Sequence, residues 1–257
     1  MKVVILAGGF GTRLAEETDR IPKPMVTIGT KPILWHIMKI YEQFGLNDFI
    51  ICAGYKASTI IEYFANYQLH NSNISVDLET NTITYLKAPS EKWKVKIIDT
   101  GENVETGGRL LRIRDYLTPN ESFCMTYGDG ISNVNITKLI DFHKKNKTEA
   151  TLTAVRPLSR FGTVDIKIDR VHSFSEKPIS GESFINGGFF VLESSIFKLI
   201  ENDHTIWEHG PLEALAKKGQ LGAYLHTEFW HPMDTLRDRR YLEQLWNSGK
   251  APWKWWK

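Results

Sequence analysis

The sequence has little of what membrane-spanning, secreted or nucleic-acid-binding proteins require. None of its apolar runs approaches the roughly 18 residues of a transmembrane helix. The short apolar run at the N-terminus stops at Gly8, too early for a signal sequence. The formal net charge is only +2, which favours neither a general nucleic-acid surface nor a polybasic membrane patch. We therefore expect no nucleic-acid partner and no membrane association.

Cysteine is scarce as well. The two cysteines, Cys52 and Cys124, each lie inside an apolar run typical of a buried strand, which predicts core thiols and a reducing, cytoplasmic location. The histidines form no H-x-x-x-H pair and no cluster with cysteine, so a zinc site has no support. A G-x-S-x-G elbow is also missing, so the sequence does not indicate an acyl-transfer serine.

What is present is an alternation of strand and helix patterns. Buried strands are predicted at 3–6, 49–54, 95–99, 122–127 and 150–155, and helices at 33–41, 58–67, 107–117, 137–145, 195–202, 211–218 and 235–247. This order predicts a single α/β domain over residues 1–257, with a mostly parallel mixed sheet flanked by helices and ligands at the carboxyl ends of the strands. The polar stretch 68–94 predicts an inserted hairpin, and 160–192 predicts added antiparallel strands.

The first strand leads into a glycine-rich loop, LAGGFGTRL, residues 6–14. Bare backbone N–H groups at such a turn bind phosphate well. A dinucleotide-binding G-x-G-x-x-G would need glycine at position 14, where this chain has Leu14, and no lysine stands in the Walker A register. The loop therefore predicts phosphate binding of another kind, and a tight turn without a ligand stays open as the alternative.

Two aspartates are candidates for a divalent cation. Asp129, in YGDG, follows an apolar strand, and Asp234, in PMD, precedes a predicted helix. Mg²⁺ takes one or two carboxylates and completes its shell with phosphate oxygens and water. The alternatives are an Asp-Gly turn for Asp129 and a helix N-cap for Asp234.

The remaining candidates are cations and polar groups beside glycines. Lys23 is held between Pro22 and Pro24, and Lys177 stands in EKP at the end of a strand-like run. Arg109 in TGGR and Asn186 in INGG lie where a ligand could approach the backbone. Since no nucleophile stands out, the set favours direct transfer between two phosphate-bearing substrates, with cations reducing their mutual repulsion.

The motifs LAGGFGTRL, KPMV, TGGRL, YGDG, EKP, NGGFFVL and PMDTLRD resemble, in order and spacing, the sugar-nucleotide pyrophosphorylases. The combination of NGGFFVL with PMDTLRD, and the chain length, are most similar to the glucose-1-phosphate cytidylyltransferase branch. The resemblance covers essentially the whole chain. It implies a Rossmann-like nucleotidyltransferase fold of the GT-A type, with a nucleotide-binding half at 1–130 and a sugar-phosphate half at 131–257.

The implied reaction joins CTP and α-D-glucose 1-phosphate into CDP-glucose and pyrophosphate, with Mg²⁺ as cofactor. By similarity, Arg13, Lys23 and Lys177 would be catalytic, and Asp129 and Asp234 would bind the metal. The nucleotide would contact the following residues: Leu6, Ala7, Gly8, Gly9, Phe10, Gly11, Thr12, Arg13, Lys23, Thr106, Gly107, Arg109 and Gly128. The sugar phosphate would contact Glu176, Lys177, Asn186 and Gly187.

Residues 102–105, ENVE, match no fixed pattern that would select the base. The alternatives are a UTP- or dTTP-dependent enzyme of the same fold and a non-catalytic nucleotide-sugar-binding regulatory protein. The tail APWKWW predicts packing onto its own domain or onto a neighbouring subunit. The resemblance implies a homo-oligomer, with a hexamer expected.

Overall fold

The computed structural model describes residues 1–87, 89–156, 163–167, 170–175 and 183–256. For Arg13, Ala15, Glu16 and the segments 163–167 and 170–175 it describes the backbone alone. The strands are β1 (Val3–Leu6), β2 (Thr27–Ile28), β3 (Lys31–Pro32), β4 (Asp48–Ala53), β5 (Asn73–Asp77), β6 (Thr82–Lys87), β7 (Lys94–Asp99), β8 (Phe123–Tyr127), β9 (Gly130–Ser132), β10 (Ala150–Val155), β11 (Thr163–Lys167), β12 (Arg170–Ser175), β13 (Ile185–Leu192), β14 (Leu221–His226) and β15 (Trp230–Pro232). The α-helices are α1 (Ala15–Thr18), α2 (Ile33–Glu42), α3 (Ala57–Ala65), α4 (Tyr67–His70), α5 (Thr106–Arg112), α6 (Ile136–Asn146), α7 (Pro211–Lys217) and α8 (Leu236–Asn247).

A seven-stranded sheet organises the molecule, in the order β14-β10-β13-β8-β1-β4-β7. Strand β13 runs antiparallel to both of its neighbours, and the other neighbouring pairs are parallel. Both halves of the chain supply strands to this one sheet. The predicted mixed, mostly parallel α/β sheet is confirmed.

Helices cover both faces of the sheet because its central strands are apolar on both sides. Val3 and Ile5 face one buried cluster, which includes the apolar stripe of α2. Val4 and Leu6 face the other, which α5 and α7 complete. Successive side chains of a strand point to opposite faces, so a strand buried on both sides reads as a continuous apolar run.

The predicted bounds of the buried strands agree with the structure to within one residue. Two predicted helices differ from it, and one edge strand and two short strands were not predicted. The helix predicted at 107–117 ends at Arg112 and continues as a 3₁₀ turn, Arg114–Tyr116, and the one predicted at 195–202 is a 3₁₀ helix, Ser194–Leu199. Strand β14 and the β9–β15 ladder were not predicted. Strand β14 alternates at the sheet edge and contains Gly222, and β9 and β15 are three residues each, too short to show a period.

The inserted hairpin is confirmed as β5 paired antiparallel with β6.

The two cysteines are buried and free, as predicted, and burial raises the pKa of each thiol to about 12. Within the described ranges, no helix is both long enough and apolar enough to cross a bilayer.

The tryptophan-rich tail packs onto its own chain. Trp253 is 1% exposed and stacks on Phe229, with ring centroids 5.5 Å apart. Its indole Nε1 lies 3.4 Å from Nδ1 of His36 on α2. Of the two alternatives for the tail, the structure therefore shows intramolecular packing for Trp253, whereas Trp255 is 46% exposed.

Candidate active site

The glycine loop and the YGDG turn meet at one edge of the sheet. Strands β1 and β8 are parallel neighbours in which Leu6 pairs with Tyr127, so the loops that follow them leave the sheet side by side. The Gly128 N–H donates to the Leu6 carbonyl over 2.9 Å. The carboxyl ends of parallel strands are where α/β sheets bind ligands.

Lys23 stands at the centre of this edge. Pro22 and Pro24 flank it in the 3₁₀ turn Lys23–Met25, and the residue is only 7% exposed. Its Nζ lies 2.7 Å from Asp129 Oδ2 and 2.7 Å from Asp234 Oδ1. Lys23, Asp129 and Asp234 therefore form one cluster, in which Lys23 and Asp234 are buried and Asp129 is partly exposed.

The short β9–β15 ladder brings the two aspartates together. Gly130, next to Asp129, pairs with Pro232, and the Met233 N–H donates to the Asp129 carbonyl over 2.8 Å. Helix α8 is capped by Thr235 in a reciprocal capping box with Asp238. The alternative assignment of Asp234 as the N-cap is therefore wrong, and its Oδ1 accepts from Lys23 instead.

The electrostatics of the cluster keep Lys23 charged. Burial alone would lower the pKa of this lysine, but the charges and hydrogen bonds of Asp129 and Asp234 outweigh burial and raise its pKa above the ordinary value of 10.5. Among the described residues, no group of three or more His, Cys, Asp or Glu side chains is arranged to hold a metal. A cation at this point would therefore have two protein carboxylates and would need ligands from elsewhere.

A cavity of about 460 Å³ opens beside the cluster. Its lining includes most of the predicted nucleotide-contacting residues: Leu6, Ala7, Gly8, Gly9, Phe10, Gly11, Thr12, Lys23, Thr106, Arg109 and Gly128. Residues Glu102, Asn103, Val104 and Glu105 also line it. Gly107, also a predicted nucleotide contact, is not among these lining residues, and its N–H donates to the Thr205 carbonyl over 2.9 Å.

The guanidinium of Arg109 binds oxygens of its own protein. Its guanidinium donates to the carbonyl oxygens of Gly8, Ala53, Gly101 and Glu102 and to Thr100 Oγ1, over 2.7–3.2 Å. The side chain thereby ties together the glycine loop, the end of β4 and the segment after β7. Its contact with a nucleotide stays a prediction, whereas its positioning of the loop is directly visible.

Two glycines of the loop are required by space and backbone conformation. A Cβ at Gly8 would lie 2.0 Å from Nη1 of Arg109. Gly11 has φ +66°, and a Cβ there would lie 2.9 Å from the Thr18 side chain and 3.1 Å from Cβ of Lys23. A Cβ at Gly9 would meet nothing within 4 Å, so this exposed glycine leaves its backbone open to a ligand.

A second, smaller cavity adjoins the first. It is lined by Asn186, Gly187 and Gly188 of β13, by Trp230 and Pro232 of β15, and by Thr126, Tyr127, Asp129 and Gly130. Tyr127 and Asp129 line both cavities, so the Lys23 cluster lies at their junction. Asn186 Oδ1 accepts from the Gly188 N–H, and the Gly187 carbonyl accepts from the Trp230 indole.

Three predicted side chains cannot be placed, and two residues at the site were not predicted. Glu176, Lys177 and the side chain of Arg13 lie outside the described residues, so their placement stays a prediction. Sequence reasoning missed Tyr127, although it is the first letter of YGDG, and it missed Glu208. The Tyr127 hydroxyl and Thr106 Oγ1 both donate to the Glu208 carboxylate. Glu208 stands in the irregular segment 201–210, which carries no motif.

Comparison with known proteins decides the family. The profile of the family described as Nucleotidyl transferase matches residues 2–230. The chain belongs to this family.

Its relatives are close in sequence and in fold. The chain is 55% identical over 256 residues to the glucose-1-phosphate cytidylyltransferase of Salmonella typhimurium, covering 100% of both chains. It is 43% identical to the probable glucose-1-phosphate cytidylyltransferase of Bacillus subtilis, again over 100% of both. The crystal structure of HddC from Yersinia pseudotuberculosis matches with TM-score 0.68 and 27% identity, over 95% of this chain and 99% of that one. A UDP-glucose pyrophosphorylase complexed with UDP-glucose shares the fold, with TM-score 0.68 and 17% identity, over 96% of this chain and 98% of that one.

Proposed function

We propose that the protein joins CTP and α-D-glucose 1-phosphate to form CDP-glucose and pyrophosphate. The observation that carries this proposal is the Lys23–Asp129–Asp234 cluster at the junction of two cavities, with Asp129 and Tyr127 lining both. The larger cavity has the glycine loop that a triphosphate requires. The relatives named glucose-1-phosphate cytidylyltransferase support the choice of substrates.

The reaction is a direct displacement at phosphorus. An oxygen of the sugar phosphate attacks the α-phosphorus of CTP, and the bond from that phosphorus to the bridging oxygen of the β-phosphate breaks. The bond's electron pair leaves with pyrophosphate, so no proton transfer is needed in the step. Because the attacking group and the triphosphate are both anionic, the protein's main tasks are to position them and to counter their repulsion.

Lys23 is the described residue best placed for that second task. Its backbone is restricted by flanking prolines, and its ammonium group contacts Asp129, which lines both cavities. In the complex it would donate to phosphate oxygens in place of the carboxylates that it contacts here. A cation already oriented towards developing negative charge stabilises the transition state more than the ground state. Arg13 and Lys177 are proposed to add further positive charge.

The residues present fit a magnesium ion. Asp129 Oδ2 and Asp234 Oδ1 both lie 2.7 Å from one nitrogen, so the Lys23 ammonium already marks a point that both carboxylates reach. We propose that these two carboxylates hold Mg²⁺, with phosphate oxygens and water completing its shell. When bound, the ion would neutralise charge on the triphosphate and help to orient it.

The smaller cavity is proposed to bind the sugar phosphate. Asn186 and Gly187 line it, and Trp230 adds an aromatic wall whose indole donates to the Gly187 carbonyl. Glu176 and Lys177 belong to the same proposed subsite by resemblance. Assembly into a homo-oligomer, expected as a hexamer, and a cytoplasmic location also remain proposals.

A turnover assay with four nucleotides tests the proposed function. Purified protein is incubated with glucose 1-phosphate, Mg²⁺ and CTP, UTP, dTTP or GTP in turn, and the sugar nucleotide is separated by anion-exchange chromatography. We expect CDP-glucose as the main product. Product with UTP or dTTP and none with CTP would refute the base assignment, and no sugar nucleotide from any triphosphate would refute the reaction.

A further inference from the structure

We propose that Glu208 determines the base preference of the nucleotide site by accepting the hydrogen bond that the Thr106 hydroxyl donates. With its proton held in this way, the Thr106 hydroxyl faces the cavity as a hydrogen-bond acceptor, which favours a pyrimidine with a 4-amino group over one with a 4-oxo group. Glu208 is thus a positioning residue, since it acts through Thr106. The inference rests on the proposed use of CTP.

The hydrogen bonds around Glu208 are specific. Thr106 Oγ1 donates to Glu208 Oε2 over 2.6 Å, and the Tyr127 hydroxyl donates to Glu208 Oε1. Thr106 Oγ1 also accepts from the Trp207 N–H over 2.9 Å. A carboxylate only accepts, and a hydroxyl has a single proton, so both hydroxyls are held with their protons turned towards Glu208. Towards the cavities each hydroxyl can only accept.

Close packing fixes this arrangement. The segment 203–208 lies directly against the start of α5, where the Glu105 N–H donates to the Asp203 carbonyl and the Gly107 N–H to the Thr205 carbonyl. A Cβ at Gly108 would lie 2.4 Å from the Asp203 carbonyl oxygen. The glycines of TGGR therefore admit the segment that carries Glu208, and Glu208 cannot drift from Thr106 without separating these elements.

The base is assigned to the part of the cavity lined by Thr106. Lys23 attracts phosphates, whereas Glu102 and Glu105, which precede Thr106 in the chain and also line the cavity, repel them. Arg109 also lines the cavity, but its terminal nitrogens already donate to protein oxygens, so acceptors rather than donors surround a base placed there. A base placed here meets a wall rich in acceptors.

Cytosine and uracil differ in what they present to such a wall. Cytosine has a 4-amino donor where uracil has a carbonyl acceptor. An acceptor facing the amino group forms a hydrogen bond, and the same acceptor facing the carbonyl leaves two acceptors opposed and unpaired. Discrimination therefore arises from repulsion of the wrong base as well as attraction of the right one.

The test is Glu208→Gln, which preserves size and removes the acceptor-only character. The new amide accepts from one hydroxyl and donates to the other, whose proton is then free to point into the cavity. We measure kcat/KM for CTP and for UTP at saturating glucose 1-phosphate, together with the melting temperature. The CTP/UTP ratio is expected to fall at least about tenfold, with Glu213→Gln, an exposed substitution on α7, as the matched control.

Two further variants assign the effect to Thr106. Tyr127→Phe leaves Glu208 and Thr106 paired and should keep the base ratio. The double variant Tyr127→Phe, Glu208→Gln lets the amide oxygen accept from Thr106, and should recover discrimination that Glu208→Gln alone has lost. Thr106→Val, which removes the hydroxyl without altering Glu208, should also lower the ratio, and it serves as the test if Glu208→Gln does not fold.

An unchanged CTP/UTP ratio in both folded Glu208→Gln and Thr106→Val would overturn the inference. Loss of rate with both nucleotides in equal proportion would overturn it too, because that result describes a merely structural role. Failure of the proposed function looks different. In that case the unaltered protein itself would not convert CTP and glucose 1-phosphate.

Discussion

At the scale of single residues, the site is a charge cluster in which one ammonium group faces two carboxylates. Lys23 is 7% and Asp234 is 8% exposed. Removing one member of this partly buried ion cluster leaves the charge of the others without compensation, so we expect each substitution to have a distinct consequence. Lys23 and a divalent cation would also compete for the same two oxygens.

This competition gives a prediction for metal binding. In Lys23→Met the carboxylates lose their internal cation, so the substrate-free protein should bind Mn²⁺ at least about tenfold more tightly than the unaltered protein, because two uncompensated negative charges remain. Electron paramagnetic resonance of free Mn²⁺ measures the affinity directly. Turnover should fall by about a hundredfold or more, because the cation proposed to stabilise the transition state is gone.

Two control variants test whether the change in Mn²⁺ affinity comes from Lys23 and its carboxylate partners. Lys39→Met removes another buried, ion-paired lysine, whose partner is Glu42, and should leave Mn²⁺ affinity unchanged. Asp129→Asn should abolish the tight binding when combined with Lys23→Met. Equal Mn²⁺ affinity in the unaltered protein and in Lys23→Met would argue against a shared cation position.

At the scale of elements, the glycine loop separates stability from ligand binding. Gly8 is enclosed by the Arg109 guanidinium, whereas Gly9 is exposed and has open space beside it. The same residue type therefore serves packing at one position and, by our proposal, close approach of phosphates at the next.

Gly8→Ala and Gly9→Ala form a matched pair. Gly8→Ala should destabilise the fold by about 1–3 kcal/mol, because its methyl group displaces Arg109 from a packed site. Gly9→Ala should leave the melting temperature nearly unchanged and raise KM for CTP. Calorimetry and steady-state kinetics on both variants check the pair, and a melting temperature lowered more by Gly9→Ala than by Gly8→Ala would contradict this description of the loop.

The elements also show where sequence reasoning reaches its limit. Strands β1, β4 and β8 could be predicted because they are buried on both faces, and the meeting of Asp129 with the glycine loop follows from parallel neighbours. The β9–β15 ladder that brings Asp234 to the same point has no period to read. Partners such as Glu208 for Thr106, 102 positions apart, depend on tertiary packing that no local pattern records.

At the scale of the whole molecule, the C-terminal tail completes the core on one side of the sheet. Trp253 lies among Phe229, Trp246 and His36. Trp255 contacts Phe44 but remains 46% exposed. Trp253 is therefore part of the core, whereas about half of the Trp255 side chain is exposed.

Trp253→Ala should lower the free energy of unfolding by about 3–5 kcal/mol, because it empties a large buried volume. Trp255→Ala should cost about 1 kcal/mol or less. Urea denaturation gives both values, and light scattering on the same samples reports whether the mass of the assembly changes. Equal destabilisation by the two substitutions would show that the tail is not anchored through Trp253.

His36 predicts how this side of the molecule responds to acid. Burial lowers the pKa of His36 to about 4, and the charge of Lys31 adds to that shift against the backbone hydrogen bonds of Ile28 and Lys31. In the unfolded chain the histidine binds the proton more readily, with a pKa near the ordinary value of 6.5. The stabilisation is therefore complete above that value and is lost as pH falls from there to about 4.

Urea denaturation across this pH range measures the effect. His36→Gln should flatten the pH dependence relative to the unaltered protein. His209→Gln, which alters an exposed histidine beside Glu213, serves as the control. A slope that persists in full in His36→Gln would assign the acid sensitivity to other groups.

Direct displacement at the α-phosphorus can be followed with labelled phosphorus atoms of CTP. The protein is incubated with glucose 1-phosphate, Mg²⁺ and CTP labelled at either the α- or the γ-phosphate, and the products are separated. We expect the α-label in CDP-glucose and the γ-label in pyrophosphate. A sugar product carrying the γ-label, or no labelled sugar nucleotide at all, would contradict it.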